Sequence, residues 1–352
     1  MIWFQVFQDG PEYEARKHKG TFTPPNISMK DIRAAVRPEL FERSTVKSLY
    51  YIARHLFFTF GFYCIATHIS NIARFTTNVP VMQQLVRGVL WILYWGWQGV
   101  AFAGIWCLGK STNNIERDET YIPPTRQDFQ LPDGKVAVRM DYTEILEETP
   151  AFTLFKLFIR QFFGFQLYLI HNRKGNPRYP PGTSHYMPSS KLFKPEQRKF
   201  IIVSNIAIGS MLVLIAGYIY QKSWSDAWFY YFAPWLVAHN WIVMLTYLQH
   251  SDPTIPYYRS VDLCPRSLGY SRPTTLWVDH LAHHFFATIP FYNLPQVTEA
   301  IKPVLGEYYN YDSTPALYAL WRSFTQCTFV ESEGDILFFK NQHGEAIIEP
   351  RI

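Results

Sequence analysis

Charge is what this sequence has least of. Acidic and basic residues fill 17% of its 352 positions, against roughly 25% in an ordinary soluble domain. That shortfall argues against a water-soluble globular protein, whose surface needs more charge to stay solvated. Cysteine is scarce as well. Cys64, Cys107, Cys264 and Cys327 are scattered with no CxxC pair, which speaks against a disulfide framework and against a zinc knuckle. No internal repeat or low-complexity run occurs, and Met1–Gly20 turns charged too soon to hold the apolar core of a signal peptide. Insertion into a membrane would therefore fall to an internal segment. What is abundant is aromatic, at 18% of residues. The net charge of +5 comes from basic residues crowded near the ends of apolar stretches, a placement that suits anionic lipid headgroups and not nucleic acid.

About 20 mostly apolar residues are needed to cross a bilayer, and four stretches qualify: Leu56–Ala73, Gly88–Gly109, Phe200–Tyr220 and Ala227–Gln249. Short polar turns at Thr76–Gln84 and Gln221–Asp226 join them into two hairpins. Lys110–Lys199, in contrast, is long and carries 14 Lys or Arg. By the positive-inside bias it lies in the cytosol with both termini. Within it, Ala151–Ile170 is rich in Phe and Leu but interrupted by Lys156 and Arg160, the pattern of a helix lying in the interface plane. The expected fold is an all-α integral membrane protein of four transmembrane helices, with a cytosolic helical cap. Residues 1–54 form a cytosolic N-terminal segment, 55–341 the main domain and 342–352 a tail.

The chemistry concentrates in Trp277-Val-Asp-His280-Leu-Ala-His283-His284. Histidines at i, i+3 and i+4 project from one face of a helix, so their imidazoles can converge on a metal. With 11 histidines in the whole chain, chance places few such runs. Asp279 is a candidate acceptor for the second ring N–H of a ligating histidine. His250 closes the last apolar stretch on the same side and is a fourth candidate ligand. His68 and His239 fall at the far end and the middle of their stretches, away from a cytosolic site. His55 and His171 read as interface residues, and His18, His185 and His343 as surface residues.

His280-x-x-His283-His284, with Phe285-Phe-Ala-Thr-Ile-Pro-Phe-Tyr-Asn293 and Thr298-Glu-Ala-Ile-Lys-Pro-Val-Leu-Gly-Glu-Tyr308 after it, resembles the third histidine box of membrane fatty acid desaturases. The likeness is to the fungal and plant oleate Δ12 (or ω-3) group. Thr21-Phe-Thr-Pro-Pro-Asn26, Phe41-Glu-Arg-Ser44, Glu116-Arg-Asp118, Pro123-Pro-Thr-Arg126, Thr246-Tyr-Leu-Gln-His250-Ser-Asp-Pro-Thr-Ile-Pro256 and Phe324-Thr-Gln-Cys-Thr-Phe-Val-Glu-Ser-Glu-Gly334 extend it over residues 20 to 341. The resemblance implies a non-haem di-iron centre that uses O₂ to place a cis double bond in a lipid-linked oleoyl chain. It also implies the endoplasmic reticulum membrane, phospholipid acyl chains as substrate, and cytochrome b5 with its reductase as electron donors. His250, His280, His283 and His284 match family ligand positions.

Set against that family, two boxes are missing. The first would follow the second span, but here Ile105-Trp-Cys-Leu-Gly109 runs straight into Lys110-Ser-Thr, whose family counterpart comes just after box two. Several tens of residues are expected to be absent at that junction. Ser260–Thr275 also fits the family pattern poorly. Four candidate histidines can serve one metal, whereas the family's iron pair takes roughly eight or more protein ligands. The expectation is a desaturase by descent whose catalytic competence is impaired. The alternatives are a non-catalytic form that binds lipid or pairs with an intact desaturase, and an erroneous gene model. A mononuclear hydrolase is disfavoured because no glutamate stands at metalloprotease spacing within the cluster.

Overall fold

A computed structural model describes residues 6–109, 123–129, 131, 149–173, 179–180, 182–258, 280–286 and 288–350. Of Cys107–Gly109 and His280 it describes the backbone only. The Gly109–Lys110 junction from its Lys110 side, and Ser260–Thr275, lie outside the described residues. The described chain is mostly helical, with two-stranded pairings as its only sheets: Thr21–Phe22 runs parallel to Glu349–Pro350, and Tyr257–Tyr258 antiparallel to Ile336–Leu337. Two units emerge. One comprises Thr45–Lys110 and Leu154–Met244; the other comprises Met1–Ser44, Ser111–Thr153 and Leu245–Ile352.

The first of these units holds the long apolar helices: Thr45–Thr67, Ile69–Thr76, Pro80–Gly109 and Arg198–Gln221, with most of Pro150–His171 and Ala233–His250. Two helices, Pro80–Trp106 and Pro195–Gln221, are long and apolar enough to cross a membrane, or three if a bent pair counts as one. None of the apolar stretch of the second is buried within the protein. Val213 and Leu214 there are 71% and 69% exposed. Lipid, not water, is the medium that such a face tolerates, and the chain is a membrane protein.

Three sequence expectations are modified. The stretch Leu56–Ala73 is not one straight helix but bends by 50° at His68. There Thr67 Oγ1 donates to the Cys64 carbonyl at 2.7 Å, a back-bond that competes with the helix ladder. Ala227–Gln249 is helical but falls outside the set apolar enough to cross, because His239, Asn240 and Gln249 dilute it. A π-turn at Trp228–Phe232 interrupts it as well. The displaced carbonyls of that turn are met from Pro80–Gly109, with Tyr94 Oη donating to Tyr230 O at 2.8 Å and Trp95 Nε1 to Phe229 O at 2.9 Å. Finally, His185 is a partly buried residue and not a fully exposed one. It is half-buried against Tyr168, with Nδ1 on the Leu169 carbonyl at 3.3 Å, and burial holds its pKa below the ordinary value. The expected interface segment is indeed a helix, Pro150–His171.

The other unit is built on a compact core. Helix α1 (Pro11–Lys19) carries its own start and stop: Pro11 at its first position, Glu12 and Glu14 in the first turn, basic residues in the last, and Gly20 left-handed at φ 64°. This arrangement complements the helix dipole at both ends. Helix α2 (Met29–Ala34) is capped by Ser28, whose hydroxyl accepts from the Asp31 N–H at 3.1 Å. Ile32, Val36 and Leu40 from this region pack with Leu281, Phe285, Val297 and Ile301 in one apolar cluster.

Candidate metal centre

His250 ends the helix Ala233–His250, and the chain then turns sharply. Pro253 cannot continue a helix, and Asp252 Oδ1 accepts from the Thr254 N–H at 2.7 Å and from its hydroxyl. The ring of His250 is fixed by its own helix, Nδ1 lying 2.6 Å from the Thr246 carbonyl. A carbonyl only accepts, so Nδ1 is the donor in this contact.

His283 and His284 lie on the short helix His280–Phe285. Its other side chains decide where they face. Leu281 and Ala282 are fully buried and, with Phe285, enter the apolar cluster described above. That anchoring brings the His284 ring to 5.4 Å from that of His250, edge to face, and His283 lies 6.1 Å from His284. His284 is 5% exposed. The His280 imidazole and all of Asp279 lie outside the described residues. Among the described residues, no three His, Cys, Asp or Glu side chains are grouped to hold an ion.

The donor chemistry nevertheless suits a metal. Imidazole is a ligand that iron, zinc and copper share. A carbonyl on the distal ring nitrogen, as at His250, is the usual way a ligating histidine is oriented. These features fit a single first-row ion. Among the described residues the histidine side chains near this position are His250, His283 and His284, fewer than an iron pair takes.

Other histidines have different roles. His239 has both nitrogens engaged, Nδ1 with the Trp235 carbonyl at 2.7 Å and Nε2 with the Gln166 amide at 2.8 Å. His18 is exposed beside Glu14.

Sequence reasoning missed a buried ionic cluster next to His250. Arg322, on helix Ala316–Gln326, pairs with Asp9, with Asp312 at 2.6 Å and with Asp252 at 3.6 Å. Arg16 of α1 reaches the other side of Asp252 at 3.8 Å and donates to Thr254 Oγ1 at 2.9 Å. The Tyr13 ring lies under the Arg322 guanidinium at 3.6 Å, and burial pushes its phenol well above the ordinary range. The only local signal was Asp252 in His-Ser-Asp-Pro-Thr. Its partners lie tens to hundreds of residues away. Elsewhere in this unit, Arg126 grips Glu331 with two hydrogen bonds of 2.7 Å, joining two of the segments that carried the sequence resemblance.

Residues 137–315 match the family model described as fatty acid desaturase. The chain belongs to that family. The Δ12 fatty acid desaturases of Mortierella isabellina and Mortierella alpina are each 30% identical over 379 residues, covering 90% of this chain and 91% of theirs. An oleate hydroxylase of Claviceps purpurea is 28% identical over 405 residues, covering 92% of this chain and 82% of its own. Desaturase-family relatives of this kind are oxidoreductases acting on fatty acids. All three alignments run longer than the 352-residue chain itself, so these relatives contribute positions that have no counterpart here. The family match spans His250, His280, His283 and His284.

Proposed function

We propose that this chain is a Δ12-type acyl-lipid desaturase by descent, whose full form inserts a cis double bond into a lipid-linked oleoyl chain at the endoplasmic reticulum membrane. The supporting observation is its likeness to Δ12 desaturases along nine-tenths of both chains, with the HxxHH run kept. His250 and His284, already adjacent, would hold iron together with His280 and His283. Bound iron supplies O₂-dependent oxidation of an unactivated C–H bond, for which no side chain has the chemistry. The exposed apolar helices keep the chain among phospholipid acyl chains, and cytochrome b5 with its reductase would deliver electrons.

The 352-residue form is catalytically impaired. Two histidine boxes of the family are missing from its sequence, and alignments longer than the chain agree with an internal loss. Its remaining role is that of a lipid-embedded partner that pairs with an intact desaturase, unless the transcript itself encodes the boxes. Expression in a host lacking linoleate is expected to yield no new diene, with iron well short of two per chain. Linoleate from this form overturns the impairment. Sequencing the transcript across the codons for Gly109 and Lys110 separates a true short form from an erroneous gene model.

A further inference from the structure

His250 is bracketed by two residues that one helix holds. Three positions before it, the Tyr247 hydroxyl donates to the Ser323 carbonyl at 3.0 Å in a buried bond. Two positions after it, Asp252 lies against the Arg322 guanidinium at 3.6 Å. Ser323 and Arg322 are consecutive on the helix Ala316–Gln326. Arg322 is in turn fixed by Asp312, by Thr314 Oγ1 at 3.1 Å, by Asp9 and by the Tyr13 ring beneath it. Arg16 closes the far side of Asp252.

Burying so many charges is a poor way to gain stability, since desolvation cancels most of the Coulomb attraction. What such a cluster supplies is a defined geometry. Apolar packing would let the last turn of a helix rotate or fray. A hydrogen bond on one side of His250 and a longer ion-pair contact on the other, from adjacent residues of one helix, restrict the ring beside His284.

We propose that Tyr247 and Arg322 are positioning residues for His250, orienting its Nε2 toward the metal that His284 would share. The inference rests on the metal reading given above and deepens it. Neither residue would be a ligand; both act through the backbone that carries His250. The cluster also ties the N-terminal helix, through Asp9, Tyr13 and Arg16, to the ligand turn.

The test is Co²⁺ titration of the full chain in detergent micelles, followed by the visible d–d absorption. His250→Ala defines the signal lost with the ligand itself. Tyr247→Phe removes one hydroxyl and keeps the ring, and Arg322→Lys keeps the charge but not the fork. Each is expected to weaken Co²⁺ binding about 10-fold, the lower end of effects seen for groups that orient ligands, and to shift the band. Arg126→Lys loosens a different ion pair of the same unit and controls for general softening; it is expected to leave the band unchanged. If the parent chain binds Co²⁺ and both positioning variants match it, the positioning role is overturned alone. Equal losses in Arg126→Lys also overturn it, in favour of plain destabilisation. If the parent chain binds no Co²⁺, the metal reading fails and the positioning role with it.

Discussion

Glu331 shows how much a single residue's environment can decide. Two hydrogen bonds from Arg126, with Lys340 2.7 Å away, hold its carboxyl at about 2, against an ordinary 4.5. Released in the unfolded chain, the group binds its proton more readily, so the pair contributes stability in full above pH 4.5. That contribution is lost as pH falls from 4.5 through 2. Glu331→Gln is therefore expected to lower the thermal midpoint of the detergent-solubilised chain at pH 7. The gap from the parent should close progressively below pH 4.5, as followed by tryptophan fluorescence. A gap independent of pH would assign the loss to packing. Both partners sit in segments legible in the sequence, Pro123-Pro-Thr-Arg126 and Phe-Val-Glu331-Ser, but nothing in either segment indicates that they meet.

Helices were the most legible feature, because apolar content and length are local properties. Their interruptions were not. The bend at His68 depends on a threonine side chain bonding back to its own helix, and the π-turn at Trp228–Phe232 survives because Tyr94 and Trp95 cap its carbonyls. Gly99 makes the same point. It reads as one glycine among several in a Trp- and Gly-rich stretch, yet a Cβ there would meet Val237 Cγ1 at 2.5 Å, Val237 Cβ at 2.7 Å and the Pro234 carbonyl oxygen at 3.2 Å. Two helices touch backbone to side chain at this point, the role small residues play in membrane packing. Gly99→Leu is expected to cost about 1–3 kcal/mol through overpacking, read as a lower midpoint of thermal unfolding in micelles. Gly96→Ala has nothing within 4 Å of its added Cβ and should leave the midpoint unchanged or slightly raised by helix propensity.

For the whole molecule, the exposed apolar face of Arg198–Gln221 sets the environment. Val213 lies mid-helix and outward. An aspartate at such a position costs about 3 kcal/mol of insertion free energy, so Val213→Asp is expected to shift a measurable fraction of the chain out of the alkali-resistant membrane pellet. Full retention of that variant would mean that this helix does not face lipid.

Composition and periodicity alone determined that the chain is helical, lives in a membrane and carries three histidines at i, i+3 and i+4. Those properties depend on residue type and spacing within 20 positions or fewer. The pairing of His250 with His284 was legible only as a shared side of the membrane. Their edge-to-face contact required Leu281, Ala282 and Phe285 to anchor one helix and Tyr247 to anchor the other. The charge cluster around Arg322 required the tertiary structure altogether. It joins residue 9 to residue 322, and attraction between charges so far apart in sequence exists only once the chain has folded to exclude water from between them.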